Sequence, residues 1–378
     1  MTDILKPESE AALAEVIASA ETPLCVTGGG TRGITSGLTG QQLSTSGLSG
    51  VTLYEPGALT LVARAGTSVA EIEALLAEKK QRLAFEPMDH RGLMGTTGEP
   101  TIGGIVAANV SGPRRVAVGA CRDHLLGVRF VDGGGKVIKN GGRVMKNVTG
   151  YDLVKLMAGS FGTLGVLTEV SLKVLPEVEA RAVLLINGLS VADAVAAMSR
   201  ALGSPYEVSG AAHTPSGLDG HPVTMLRVEG FAESVAYRAK ALQKLLAEFG
   251  ESQIEDDPAR TKAGWNWVRN VEAFHGSQGD VWRVSCKPSD APRLAKEAGG
   301  EALLDWGGGL LWVQLPEGTD LRARLSPYDG HATLVRASAK TRDALSVFEP
   351  QNEILTRMAQ GLRDRFDPKQ IFNTGLMG

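Results

Sequence analysis

Two glycine-dense stretches govern what this chain can become. The first, Gly159-Ser160-Phe161-Gly162-Thr163-Leu164-Gly165, packs three glycines into seven residues, so main chain can lie close against a flat object. It runs straight into an alternating segment, with Val166, Thr168, Val170, Leu172 and Val174 on one face and Glu169, Ser171 and Lys173 on the other. That alternation predicts a half-buried strand, stopped by Pro176. The second cluster, Thr27-Gly28-Gly29-Gly30-Thr31-Arg32-Gly33, follows a short apolar strand from Pro23 to Val26.

The placement of this second loop separates the nucleotide folds. A Rossmann fingerprint opens a helix, but Ile34 to Ser46 has no helical periodicity, and no acidic residue stands about 20 positions further on. A Walker loop needs Gly-Lys-Ser/Thr, which the chain does not contain. What remains is a run of consecutive amide N–H groups, a nest that holds a diphosphate without a helix dipole. Such a loop alone is as readily a plain turn. The two clusters together read as the bed of a phosphate-bearing cofactor.

At 378 residues the chain exceeds the size at which one core stops growing, so two domains are expected. A net charge of −3 and a pI near 6.1 give no reason to expect nucleic acid or an anionic membrane as partner. Glycine, at 47 residues, is the compositional excess, and its clustering favours tight loops over a flexible linker. Cys25, Cys121 and Cys286 stand far apart, without iron–sulfur or zinc spacing, and so sparse a set suits a reducing compartment. The first residues carry no signal pattern, and no apolar run is long enough to span a bilayer.

Along the chain, Ser9 to Ala20 has helical spacing, and Ser68-Val69-Ala70-Glu71 is a capping box opening another helix. Thr101 to Gly112 is a run of small residues against which a ring system could lie. Leu125 to Val131 and Lys136 to Lys139 flank Asp132-Gly133-Gly134-Gly135, a β-hairpin. Beyond Pro176 the glycine density falls. Strands are predicted at Arg181–Ile186, Val223–Gly230, Asp280–Pro288 and Leu310–Leu315, and helices at Val191–Leu202 and Val235–Phe249. That order indicates an α+β unit on an antiparallel sheet. A helix is predicted over Val347–Arg365, ahead of the tail Phe366 to Gly375.

Five ordered blocks carry a resemblance: T-G-G-G-T, T-I-G-G-x-x-A-x-N, K-N-x-T-G-Y-D-L, G-S-x-G-T-L-G-V-L-T-E and D-P-x-x-I-F-N. Over essentially its whole length the chain resembles the vanillyl-alcohol-oxidase-type, or PCMH-type, FAD proteins. Within them it is most similar to the 2-hydroxy-acid branch and to the FAD-binding subunits of three-part glycolate oxidases. The resemblance implies an α+β fold: a two-lobed PCMH-type FAD-binding domain over 1–178, an α+β cap domain on an antiparallel sheet over 179–340, and a tail over 341–378 returning to the flavin. It implies FAD, with Gly28, Gly29, Gly30 and Thr31 around the diphosphate. Thr101, Gly103, Gly104, Asn109 and Gly112 would line the flavin and ribityl chain, Gly165 and Val166 the adenine end, and Asn373 would close over the ring. Thr31 and Arg32 stand where many relatives tether FAD through histidine, so the FAD is expected to be non-covalent, His90 and Cys121 being the remaining tethering candidates. The implied substrate is a small 2-hydroxy acid such as glycolate. The implied partners are a second FAD-type subunit and an iron–sulfur subunit, in a cytoplasmic complex that itself reaches any membrane.

Catalytic relatives carry a Gly-Glu-His motif that ligates a metal. This chain has no Glu-His pair, so no metal is expected and the catalytic residues stay unassigned. Electron relay, a scaffold subunit with a structural flavin, and an independent dehydrogenase therefore stay open beside substrate oxidation. The histidines, His90 and His124 after Asp89 and Asp123 included, read as loop or surface residues, because neighbours on a strand point to opposite faces. Arg114, Arg115 and Lys146 read either as cations beside a reduced flavin or as solvated side chains. Arg336 reads as a carboxylate clamp or a structural ion pair. Trp265, Trp267 and Trp282 read as cap core, and Glu255-Asp256-Asp257 as a solvated loop.

Overall fold

The computed structural model describes residues 4–33, 37–143, 150–217 and 219–377. Lys146 and the first half of its motif, through Thr149, lie outside them. The first strands are β1 (Leu24–Thr27), β2 (Gln41–Ser44), β3 (Val51–Glu55), β4 (Thr60–Arg64), β5 (Gln81–Arg82), β6 (Leu125–Val131), β7 (Val137–Gly141), β8 (Val166–Lys173) and β9 (Leu175–Pro176). β1 and β2 form a small parallel pair, β5 pairs with β9, and the others make a five-stranded sheet in the order β3-β4-β8-β6-β7. The expected hairpin is present, with Val131 opposite Val137. Ser68 caps the helix Val69–Glu78 through its hydroxyl, which accepts from the Glu71 amide at 3.0 Å.

β8 corrects the expectation of a half-buried strand. It lies between β4 and β6, and of its eight residues only Glu169 and Lys173 escape full burial. Thr168 and Ser171 are tolerated inside because a threonine or serine hydroxyl can find a partner there; Thr168 Oγ1 donates to Glu10 Oε1 at 2.6 Å. Central position, which alternation alone cannot report, decided the burial.

The remaining strands are β10 (Ala180–Asn187), β11 (Gly210–Thr214), β12 (Val223–Gly230), β13 (Ser252–Glu255), β14 (Asp280–Cys286), β15 (Glu301–Asp305), β16 (Leu310–Leu315) and β17 (Gly330–Arg336). They form one eight-stranded antiparallel sheet, ordered β13-β10-β12-β11-β15-β16-β14-β17. Helices Val191–Leu202, Ala232–Leu245 and Ala291–Ala298 cover one face around Trp282 and Leu304. On the other face Leu303, Leu310 and Trp312 join Phe85, Met88 and Ile105 in a core shared with the first half of the chain. Trp265 is buried on that second face, apart from Trp282, so the tryptophans are core residues but not one cluster. The helix expected from Val347 begins only at Glu353, after Pro350, where Asn352 Oδ1 caps the Leu355 amide at 3.0 Å.

A buried ion network ties the two halves together. Glu229 of β12 receives Arg82 at 3.2 Å, Arg181 at 3.1 Å, Arg227 at 3.4 Å, and also Arg114. Arg227, 2% exposed, grips Glu86 through both oxygens at 2.9 Å and stacks on Trp265 at 4.5 Å. Arg114 is thus neither solvated nor free for a flavin. Burial alone would raise the Glu86 carboxyl, but Arg227 and Arg114 hold it below its usual range.

Two expectations follow. Glu229→Gln leaves several guanidinium groups without their shared carboxylate, a loss of about 3–5 kcal/mol for a buried pair, readable by urea unfolding at neutral pH. A loss under about 1 kcal/mol would mean that the network is dispensable. A depressed carboxyl contributes stability above its unfolded pKa of about 4.3 and loses it as pH falls through the folded value. The stability gap between wild type and Glu86→Gln should therefore shrink as pH is lowered from about 7 to about 3.

Candidate cofactor groove and active site

The loop after β1 folds back on the segment before the helix Ile102–Ala107. Contact is so close that a Cβ on Gly28 would stand 2.2 Å from Thr101 Oγ1, and one on Gly29 would stand 1.6 Å from the Glu99 carbonyl oxygen. Of the loop glycines only Gly30 (φ 73°) and Gly33 (φ 57°) need the left-handed region. The small-residue run predicted as a flat bed is in part this short helix, started by Thr101 Oγ1 accepting from Gly104 N at 3.3 Å. Gly103 lets it pack on β4's end, where a Cβ would meet the Ala65 Cβ at 2.6 Å.

These segments wall a groove with about 830 Å³ of empty space, partly open to solvent. Gly28, Gly29, Gly30, Thr31, Thr101, Gly103, Gly104, Gly165 and Val166 all line it, together with Arg32, Ala108, Phe161 and Gly162 from the same three stretches, and with Thr45, which was not singled out from the sequence. The N–H groups of Gly29, Gly30 and Thr31 donate to no acceptor among the described residues. Consecutive backbone donors left unpaired beside a groove fit the diphosphate of FAD, Thr31 being buried while Gly29 and Gly30 are open enough to meet a ligand.

Asn109, Gly112 and Asn373 do not line the groove. Asn109 Oδ1 accepts from the Arg122 amide at 3.0 Å, and the Gly112 carbonyl accepts from Trp306 Nε1 at 3.0 Å. Asn373, 1% exposed, is a clamp: Oδ1 accepts from Val26 N at 2.7 Å and Nδ2 donates to the Phe161 carbonyl at 2.8 Å. It fixes two groove walls from behind.

Arg32, in the groove wall, has no carboxylate within ion-pair distance among the described residues, and neither have Arg115 and Arg283, whose company is an aromatic ring. Arg32 lies 5.3 Å from the centre of the Phe161 ring, and its buried Nε has no hydrogen-bond partner. Arg115 and Arg283 both stack on Trp306, at 4.5 and 5.1 Å. Burial, with Arg283 acting on Arg32 and Arg115 on Arg283, pushes the guanidinium pKa of each of Arg32 and Arg283 down to about 10, so both stay charged. Asp305, whose Oδ1 accepts the Trp306 amide at 2.7 Å, is pushed up by burial to about 7. Its compensation of these cations is therefore incomplete at neutral pH.

Other sequence candidates take structural places. Arg336 donates to the Leu93 and Phe274 carbonyls at 3.1 and 2.7 Å, a strap between segments and neither a clamp nor an ion pair. His90, His124 and His213 are buried at 5%, 4% and 1%, against the expectation of surface histidines. Neither aspartate orients its histidine: Asp89 pairs with Arg91, and Asp123 accepts from the Ala120 amide at 2.8 Å. Cys121 is fully buried and its thiol is pushed up by that burial, which leaves it inert as a nucleophile. His331 is exposed on the edge strand β17. Among the described residues no three His, Cys, Asp or Glu side chains are arranged to hold a metal, and no helix is long and apolar enough to cross a membrane.

Comparison with known proteins agrees with this geometry. Residues 3–141 match the family model described as FAD binding domain. Glycolate oxidase subunit GlcE of Escherichia coli (strain K12) is 36% identical over 364 residues, spanning 95% of this chain and 93% of the relative. D-lactate dehydrogenase of Archaeoglobus fulgidus is 31% identical over 199 residues, 51% of this chain and 43% of the relative. The solved alkyldihydroxyacetonephosphate synthase shares the fold, with a TM-score of 0.70 over 98% of this chain and 76% of that one, at 16% identity. By the near full-length match, the chain belongs to the family of FAD-linked oxidoreductases that includes the glycolate oxidase subunit GlcE.

Proposed function

We propose that the chain is the FAD-carrying subunit of a complex that oxidises a small 2-hydroxy acid, glycolate or a near relative. The observation that carries this reading is Arg32, a cation with no carboxylate partner among the described residues, in the wall of a groove with free amide donors. An anionic substrate supplies the missing negative charge, and Arg32, at the groove wall, can bind it bidentately. Gly29, Gly30 and Thr31 would hold the diphosphate, and Thr101, Gly103 and Gly104 the ribityl and ring region. When bound, FAD supplies a two-electron oxidant. The chain's own part is to bind the anion, orient it and keep water out with Phe161.

The FAD is non-covalent in this reading, because Thr31 and Arg32 offer no tethering nucleophile and Cys121 is buried in the core. The cysteines are unpaired, so electrons leave through partners, a second FAD-type subunit and an iron–sulfur subunit. A relay role, passing on electrons from a substrate oxidised elsewhere, is favoured by the lack of a metal-ligating group among the described residues.

Anaerobic glycolate separates these readings. Bleaching of the flavin in the purified chain supports oxidation at its own site; bleaching only after partner subunits are added supports relay. No bleaching by any 2-hydroxy acid in the full complex refutes the proposal. Acid precipitation should leave the yellow colour in the supernatant, and colour in the pellet would establish a covalent bond.

Two glycines should behave differently. Gly29→Val drives a side chain into the Glu99 carbonyl, so the apoprotein itself should melt lower and retain no FAD. Gly30→Ala meets no atom within 4 Å, and its cost is the left-handed backbone, about 1–2 kcal/mol. It should fold with a melting temperature a few degrees lower and still bind FAD, as titration of the apoprotein would read. Normal FAD binding by Gly29→Val would show that the loop is only a turn.

A further inference from the structure

The helix Glu353–Phe366 is mounted the wrong way round. None of its residues is buried. Ile354 and Met358 are each 63% exposed, Leu355 47% and Leu362 40%. On a helix Ile354, Met358 and Leu362 stand in one row, a turn apart, with Leu355 beside them. An amphipathic helix ordinarily buries such a stripe against its own core. Here the polar side is turned inward instead: Thr356, Gln360 and Arg363 line a crevice with about 1240 Å³ of empty space against the rest of the chain. The element is held at its ends, by the Asn352 cap and by Phe366, whose ring centre lies 6.0 Å from that of Phe130. A helix of this length without a packed face is marginal in water, and an uncovered apolar stripe marks a surface that another molecule covers.

The charges on the helix say what kind of molecule that is. Arg365 falls in the row of Ile354, Met358 and Leu362, and Arg357 borders it; neither has an ion-pair partner among the described residues. Asp364 is engaged by Gln360 Nε2 at 2.7 Å, and Glu353 lies on the opposite side of the helix. A second copy docked stripe to stripe would therefore bring these arginines no carboxylate. A membrane-surface helix turns a cationic polar face to the water, whereas this one turns its polar side to its own chain. A groove on a different protein, apolar along its floor and acidic on its rim, meets both the stripe and the cations. The place also suits a redox partner. Phe348, just ahead of the helix, meets Phe161 edge-on at 4.8 Å, and Phe161 lines the cofactor groove. We propose that Glu353–Phe366 is a docking helix, laid by its Ile354, Leu355, Met358 and Leu362 stripe into an apolar, acid-rimmed groove of a partner subunit. The inference rests on the function proposed above, which puts the chain in a complex.

The test is assembly of the full chain with the partner subunits that co-purify with it from its native host. Ile354→Gln combined with Met358→Gln removes the stripe and keeps good helix formers at exposed positions. FAD content and melting temperature of the lone chain should stay at wild type, while its affinity for the partner subunits falls at least about tenfold. Arg365→Glu should slow association and flatten its dependence on salt. Tyr237→Gln, exposed on the helix Ala232–Leu245, should match wild type. A photocrosslinker at position 358 should join the chain to one partner subunit, next to aspartate or glutamate. Crosslinking only to a second copy, or none at all, overturns the proposal. So does binding of the lone wild-type chain to phosphatidylserine–phosphatidylcholine vesicles that the double variant abolishes. Wild-type affinity in the double variant removes the docking role alone. A wild-type chain that brings down no partner sinks its place in a complex, and this inference with it.

Discussion

The convergence of Arg82, Arg114, Arg181 and Arg227 on Glu229 is the interaction on which the rest depends. It joins strands and loops that lie far apart in the chain: Arg82 and Glu229 are separated by 147 positions. Buried charges of this kind do little for stability compared with an apolar core, but a misplaced partner is heavily penalised, so they define one relative placement of the parts they join. Here that placement sets the face bearing Arg283 and Trp306 against the segments bearing Arg32 and Arg115.

The unpaired cations differ from those in the network only in their company. Arg114 and Arg227 are matched by carboxylates, whereas Arg32 and Arg283 have aromatic faces and each other. An aromatic ring eases the burial of a guanidinium without neutralising it, which keeps positive potential available to a ligand.

Local pattern made much of this legible. The helix Val191–Leu202 and the strand Val223–Gly230 stand where their periodicity put them, and Ser68 and Asp132 do the capping and turning their types suggest. The glycine loop and most of its groove neighbours were readable because close backbone approach permits no other residue. What escaped was set by contacts distant in sequence. The helix Ile102–Ala107 contains two glycines of poor propensity and exists because it packs on Ala65. β8 is buried because it lies inside the sheet and segments distant in sequence, the helix Ile102–Ala107 and the helix bearing Glu10, pack on it. Nothing in the sequence near Arg114 announces Glu229.

Asn373 has a consequence for how the protein is made. Its side chain fastens Val26 across 347 positions, and the main chain of Leu24 bonds Ile371 at 2.7 Å beside it. Asp367, fully buried, shapes that turn by accepting the Ile371 and Phe372 amides at 3.1 and 2.8 Å. On the ribosome, β1 and its glycine loop emerge early and wait for nearly the whole chain before this fastening can form. Cofactor capture is therefore a late event in biogenesis, and a nascent chain lacking its last dozen residues has a loop but not yet a binding site.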